Sequence, residues 1–164
     1  MPIETKKIVF KRASLCNTGY ILRIILRCMN EVNYKDYAEE HFTRYISNFT
    51  EDWLASIIND RHYYEAWHNG VIIAAGGVGR DLSQIRQSFL SAVFVSPDFH
   101  GLGVGRALVE YLESDEWCLD SGLIEVPSSK SSHGFYHKLG YEYRTFPPVF
   151  NDDDGSTIMY KYRT

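Results

Sequence analysis

Gln87 to Glu113 reads QSFLSAVFVSPDFHGLGVGRALVEYLE, and this stretch decides the architecture. Ser88–Val95 is rich in β-branched and aromatic residues and predicts a strand, which Ser96-Pro97-Asp98 ends in a turn. His100-Gly101-Leu102-Gly103-Val104-Gly105 then opens a helix expected from Gly103 to about Trp117, with Val104, Leu108, Tyr111 and Leu112 at helical spacing. A strand that feeds glycines into a helix N-terminus is an anion cradle. Glycine lets the main chain approach a ligand closely, several amides point one way, and the helix end carries about half a positive charge. A diphosphate fits such a place without a dense basic patch. The spacing excludes a Walker A loop, since no Lys-Ser or Lys-Thr stands where GxxxxGK[ST] needs it. The dinucleotide fingerprint GxGxxG also fails, because Arg106, Ala107 and Leu108 follow Gly103-Val104-Gly105.

On the N-terminal side, Ile8–Phe10 predicts a short strand, and Asn17 or Thr18 starts a helix to about Met29. A second helix is expected from Asp36 to Asn48 and a third from Thr50, with Glu51 and Asp52 in its first turn, to about Asn59. Tyr63–Trp67 and Val71–Ala75 flank Asn69-Gly70, the signature of a β-hairpin. Gly76-Gly77-Val78-Gly79 follows and precedes a loop and a strand, so hairpin geometry explains it better than phosphate binding. On the C-terminal side, Leu123–Val126 predicts a buried strand, Ser131–Lys138 a short helix, and Tyr141–Thr145 and Thr157–Tyr162 two closing strands. Together these elements predict one α+β domain over residues 1–164 with a central mixed, mostly antiparallel sheet of about seven strands flanked by helices.

Composition narrows the class of function. The 164 residues are 45% hydrophobic and 23% charged, enough apolar material for a sizeable core. A net charge of −4 argues against a sequence-independent nucleic-acid binder. Cys16, Cys28 and Cys118 are odd in number and widely spaced, which suits reduced thiols better than disulfides or structural zinc. The N-terminal MPIETKKIVFKR lacks the apolar run of a signal peptide. Ile21–Met29 is interrupted by Arg23 and Arg27, so no membrane segment is predicted and a soluble, cytoplasmic protein is expected. His133 and His137 are four apart but have neither an HExxH motif nor a third ligand, so no metal is expected.

A second motif carries a resemblance. The glycine turn fits (Arg/Gln)-x-x-Gly-x-(Gly/Ala), with His100 in the first place, and Ser131–Tyr143, SSHGFYHKLGYEY, fits Phe-Tyr-x-x-x-Gly-(Phe/Tyr) through Phe135, Tyr136, Gly140 and Tyr141. With both motifs in order and a strand between them, the sequence resembles the GNAT superfamily of acyl-CoA N-acyltransferases over roughly Tyr63 to Tyr162. The resemblance implies a splay between the fourth and fifth strands that admits the pantetheine arm of acetyl-CoA. It further implies that Val93, Phe94 and Val95 pair their main chain with that arm. Gly101, Leu102, Gly103, Val104, Gly105 and Arg106 would supply pyrophosphate-binding amides. His100 departs from the family's Arg or Gln, and Ser129 stands where the family often has Asn, with Ser132 at a small-residue place.

Tyr136 resembles the family's general acid, a phenol placed to protonate the departing thiolate. The base is not legible. A lysine-like amine costs roughly 4.6 kcal/mol to deprotonate at pH 7. The family's fourth-strand carboxylate is replaced here by Ser91 and Ala92. Glu65 and Asp81 are the candidates, acting directly or through water. Trp53, Tyr63, Tyr64 and Trp67 are candidates for the wall of an acceptor pocket, and Asp152–Asp154 for drawing a cationic acceptor. The resemblance implies direct transfer of an acetyl group to a primary amine of a small molecule or a protein, within a chain that can dimerise. A sensor that binds coenzyme A without turnover stays open beside it.

Overall fold

A computed structural model describes residues 4, 7–84, 86–151 and 154–163. Seven strands form one sheet in the order β1-β2-β3-β4-β5-β7-β6. These are β1 (Val9–Arg12), β2 (His62–His68), β3 (Val71–Arg80), β4 (Gln87–Val95), β5 (Leu123–Ser129), β6 (Glu142–Tyr143) and β7 (Ser156–Tyr162). Neighbours run antiparallel except β4 and β5, which are parallel. The β2–β3 hairpin turns on Asn69 (φ 49°) and Gly70 (φ 76°), the two positive dihedrals its Asn-Gly pair is suited to adopt.

Helices cover both faces. On one lie α1 (Thr18–Glu31) and α3 (Glu51–Asp60), whose Ile21, Ile25, Leu54 and Ile57 close over Tyr63 and Ala75. On the other lies α4 (Val104–Glu113), whose Leu108 and Leu112 pack with Leu90 and Ile124. Each of these fully buried aliphatic side chains contributes about 1.5–3 kcal/mol. Thr50 caps α3 by accepting from the Trp53 N–H, as Ser/Thr caps do.

Three expected boundaries change. The second helix is shorter than Asp36–Asn48: a 3₁₀ turn at Asn33–Asp36 precedes α2 (Glu39–Ile46). The helix after the glycine turn ends at Glu113, because the Asp115 carboxylate accepts from the Trp117 N–H and caps a separate α5 (Glu116–Leu119). The first closing strand shrinks from Tyr141–Thr145 to Glu142–Tyr143. The last helix, α6 (His133–Lys138), follows a 3₁₀ turn at Lys130–Ser132.

Two irregularities of the sheet create the site. The β3–β4 register shifts by one residue between Ala75 and Gly77, a bulge in β4 where Ala92 takes φ 47°. The β4–β5 pairing covers only Gln87–Phe89 against Leu123–Glu125, after which the two strands separate. Pro127 lies on the separated part of β5. The Gly122 carbonyl accepts from Arg163 N–H on the β7 side, so alternation turns the Pro127 nitrogen toward the gap, where no ladder bond is lost. The splay expected between the fourth and fifth strands is present.

Candidate active site

A cleft of about 930 Å³ occupies the gap between β4 and β5 and continues beneath α1, α2 and α3. Its β4 wall is Leu90 to Val95. The Ser96 N–H donates to the Ile73 carbonyl at 2.8 Å, so the preceding Val95 main chain faces away from β3, into the gap. The Val95 carbonyl accepts from the Cys28 thiol at 2.9 Å and from His100 Nε2–H at 2.7 Å. Its N–H has no β5 partner, since the pairing has already ended.

The glycine turn follows directly. Gly101 (φ 74°) and Gly103 (φ 87°) hold left-handed conformations, and Gly103 is the N-cap of α4. Ala107 is the first amide to close a helical bond, onto the Gly103 carbonyl, so the Val104, Gly105 and Arg106 N–H groups are open. Gly105 has a packing reason as well, since a Cβ there would lie 3.1 Å from the Phe135 ring of α6. His100, Gly101, Gly103, Gly105 and Arg106 line the cleft. The side chains of Leu102 and Val104 instead turn into the core. The His100 ring folds back onto Val95 and braces the turn to the strand. Arg27 braces the same region, with Nη1 and Nη2 at 2.9 and 3.1 Å from the two Asp98 oxygens.

Opposite β4, the Ser129 and Ser132 hydroxyls share a hydrogen bond of 2.8 Å where β5 gives way to α6, and both line the cleft. Tyr136 does too. Its ring is buried between Phe135 and Tyr141, at centroid distances of 5.0 and 5.7 Å, and its hydroxyl has no hydrogen-bond partner among the described residues. Burial holds that phenol well above its ordinary pKa. Burial likewise pushes the Cys28 thiol up to about 12. Cys28 thus meets neutral pH as a thiol, poorly suited to be an acyl-accepting nucleophile.

The α1–α3 side brings Tyr37, Tyr45, Phe49, Trp53 and Arg61 to the cleft, with Asp154 from the β6–β7 loop. Burial raises the pKa of both Tyr37 and Tyr45, and Asp154 adds a smaller upward push on each. The Ser131 hydroxyl donates to Asp36 at 2.5 Å and straps the α1–α2 segment to the start of α6.

Several expectations are corrected here. Glu65 is buried away from the cleft lining, with Oε1 accepting from Ser14 N–H (3.0 Å) and Asn17 Nδ2 (2.9 Å) and Oε2 from Trp67 Nε1 (2.9 Å). It ties the entry of α1 to β2 and does not line the cleft. Asp81 lies at the β3–β4 turn, bonded to Ser83 and outside the cleft. Of the four aromatic candidates only Trp53 lines the cleft. Tyr63 is core, with its hydroxyl on the Ala92 carbonyl at 2.8 Å, Tyr64 bonds Asp115 at 2.6 Å, and Trp67 holds Glu65. Asp152 and Asp153 lie outside the described residues. Tyr37, Tyr45 and Arg61 also line the cleft, and the sequence signals only the first two, through the density of aromatics in residues 34–53. Among the described residues no three His, Cys, Asp or Glu side chains gather as a metal site.

The profile of the Acetyltransferase (GNAT) family matches residues 22–141. The chain belongs to that family. An uncharacterized N-acetyltransferase of Schizosaccharomyces pombe is 28% identical over 131 residues, 77% of this chain and 53% of the yeast protein. The chain therefore spans about half the length of that curated relative. The PaiA N-acetyltransferase of Thermoplasma acidophilum, solved with coenzyme A, superposes with a TM-score of 0.79 at 14% identity, over 95% of this chain and 99% of that one. The N-acetylglutamate synthase of Neisseria gonorrhoeae, solved with coenzyme A and N-acetyl-glutamate, gives 0.70 at 10% identity, over 94% and 35%. At these identities the likeness is one of fold. As in a GNAT fold, the sheet is open and splayed, and among the described residues no helix is long and apolar enough to cross a membrane.

Proposed function

We propose that this GNAT chain is an acetyl-CoA-dependent N-acetyltransferase that acts on a primary amine by direct attack in a ternary complex. The observation that carries the proposal is the gap between β4 and β5 opening straight onto the free first-turn amides of α4. Acetyl-CoA supplies the activated acetyl group as co-substrate. The residues present suit it. Val95 offers an unpaired strand edge to the amides of the pantetheine arm, much as an added strand would use it, while Phe94, paired with Ala75, turns its main chain to β3 and Val93 stands beside the bulge. Gly101 to Arg106 offer main-chain N–H groups to the diphosphate. His100 contributes as a brace for the turn, Arg106 as a cation beside it, and Ser129 and Ser132 as hydroxyls along the opposite wall.

In this reading the Val95 N–H polarises the thioester carbonyl. Tyr136 holds a proton for the thiolate that leaves, and burial, which raises its pKa, keeps the phenol neutral and protonated near pH 7. The high pKa of Cys28 favours attack by the amine itself over transfer through an acyl-cysteine. Asp154 is the one carboxylate lining the cleft among the described residues, and it sits on a loop rather than on β4. With no strand carboxylate as base, amines of low pKa are favoured. An α-amino group near 7.8 costs about 1 kcal/mol to deprotonate at pH 7, against roughly 4.6 for a lysine-like amine.

The test is calorimetric titration with acetyl-CoA, followed by measurement of thiol release across a panel of small amines and peptide N-termini. Saturable binding with amine-dependent thiol release is expected. Binding without release from any amine would favour the sensor reading, and absence of binding would end both.

A further inference from the structure

Arg61 is a feature of the cleft that acetyl transfer alone leaves without a role. It joins α3 to β2, yet its side chain reaches across β3 to β4. There Nη1 donates to the Ser91 hydroxyl, and the guanidinium lies 5.1 Å from the centre of the Phe89 ring. The path is open because β3 carries no side chain at Gly77 and Gly79: a Cβ at Gly79 would overlap the Phe89 ring, and one at Gly77 would come within 2.6 Å of Tyr63. Arg61 is half-buried, and desolvation lowers its pKa, opposed only by Asp60 and Tyr63. Among the described residues no carboxylate comes within ion-pairing distance of it. Arg61 lines the cleft, and among the described residues none of its nitrogens is both buried and unpartnered, so the N–H groups not engaged by Ser91 remain accessible. A cation drawn partly out of water and left without a counter-ion is unfavourable unless an anion joins it. A guanidinium also presents the fork geometry that a carboxylate matches.

We propose that Arg61, held by Ser91, binds a carboxylate carried by the acceptor, so that the substrate is an amine bearing an acidic group. This rests on the acetyl-transfer reading of the same cleft and names its substrate class. Asp154 supplies the opposite pole. Its Oδ1 accepts from the Ser156 N–H (3.0 Å) and hydroxyl (2.7 Å), and Oδ2 has no partner among the described residues. Arg61 and Asp154 give the cleft groups of opposite charge that suit a zwitterion, beside Arg106 and Lys138, which also line it. A polyamine, which carries cations alone, meets repulsion at Arg61. Two sources share the required chemistry: a free amino acid, and a peptide whose N-terminal amine is followed by an acidic side chain.

The experiment uses the full chain saturated with coenzyme A and titrates N-acetylglycine, N-acetylaspartate and the uncharged N-ethylacetamide. The two carboxylates are expected to bind at least tenfold more tightly than the neutral amide, the factor that about 1.4 kcal/mol represents. That preference falls to about one- to threefold in Arg61→Gln and is partly kept in Arg61→Lys. Equal binding of charged and neutral ligands, failure of all three to bind at low-millimolar concentration, or an unchanged preference in Arg61→Gln would each overturn the proposal. If Arg61→Gln no longer melts cooperatively, the wild-type preference and its reduction in Ser91→Ala decide instead. Acetyl-CoA affinity, measured separately on the same proteins, reports on the acetyl-transfer reading alone. Turnover of 4-aminobutyrate against butylamine, and of Ala-Glu-Gly-amide against Ala-Gln-Gly-amide, then separates the free amino acid from the peptide.

Discussion

Glu65 stood out in the sequence as a possible base, and replacing it separates chemistry from architecture. In Glu65→Gln one oxygen becomes an NH₂ group. If the remaining oxygen faces Ser14 N–H and Asn17 Nδ2, the new amide confronts the Trp67 indole N–H, donor against donor; the reversed orientation leaves two donors unsatisfied instead of one. The better orientation loses one hydrogen bond to a carboxylate and strands a buried donor, about 1.5–3 kcal/mol, while the two surviving bonds weaken because their acceptor is now neutral. A total near 3 kcal/mol follows, which for a chain of this size lowers Tm by roughly 6–12 °C. Thermal unfolding followed by circular dichroism measures that shift. Thiol release from acetyl-CoA, assayed where both proteins are folded, is expected to agree within about twofold, since a two-fold change is less than 0.5 kcal/mol. An unchanged Tm together with a hundredfold loss of turnover would restore Glu65 as the base and refute the anchoring argument.

Three further outcomes follow from the cleft. Tyr136→Phe removes a hydroxyl with no hydrogen-bond partner among the described residues, so acetyl-CoA affinity should stay within about threefold while kcat falls by about 10² or more. Because burial raises the Tyr136 pKa, the wild-type rate should show no descending limb from this acid up to about pH 10, the ordinary phenol value; a limb that vanishes in Tyr136→Phe would contradict this. Gly103→Asp sets a carboxylate beside the open α4 amides, where repulsion of roughly 3 kcal/mol per phosphate charge at about 5 Å and an effective dielectric near 20 should raise the acetyl-CoA Kd at least a hundredfold by calorimetry. Burial pushes the Cys28 and Cys118 thiols up to about 12 and 11, whereas Cys16 is exposed. A disulfide reagent near pH 8 should therefore consume one thiol rapidly and the others on the order of 10³ times more slowly. Since both folded pKa values lie above the unfolded thiol value, the two sites contribute stability that is complete below about pH 8.5 and declines as pH rises toward the folded values.

What could be read from the chain was local. The Asn69-Gly70 hairpin, the helix start at Thr50 and the glycine turn each express their meaning within a few residues, so the elements match the expectation. Tyr136 sits in a motif of seven residues, and its place in the cleft follows from α6 packing Phe135 against Gly105. Glu65 was ambiguous because two of its donors, Ser14 and Asn17, lie 51 and 48 residues away. Nothing near Glu65 distinguishes an anchored carboxylate from a catalytic one. The break at Ser114 was hidden for the same reason. Asp115 reads as one more acidic residue in an amphipathic run until His62 and Tyr64 arrive from β2 to share its carboxylate with the Trp117 amide.

The glycines of β3 show how a site can depend on residues that never touch a ligand. Gly76 faces the β4 bulge, where an added Cβ would stand 3.2 Å from Val93 and 3.2 Å from Leu112. A side chain there would press on the very residues whose main chain forms the cleft wall. Gly77 and Gly79 face the other helical layer, and their bare backbone lets Tyr63, Phe89 and Arg61 lie across the strand. Tyr63 thereby reaches the Ala92 carbonyl and secures the bulge from the side opposite Gly76. The run Gly76-Gly77-Val78-Gly79 thus behaves as a trough in the sheet. One of its sides admits the bulge that turns β4 away from β5, and its other side admits the guanidinium that reaches the cleft. Enlarging Gly79 to Val should displace Phe89 and with it the seat of Arg61, so discrimination between N-acetylaspartate and N-ethylacetamide should weaken along with stability. Enlarging Gly76 to Val should instead press on the bulge and weaken acetyl-CoA binding. Opposite assignments of those two losses would mean that the bulge and the arginine are not separated by the strand between them, and the division of the cleft into a cofactor side and an acceptor side would fail.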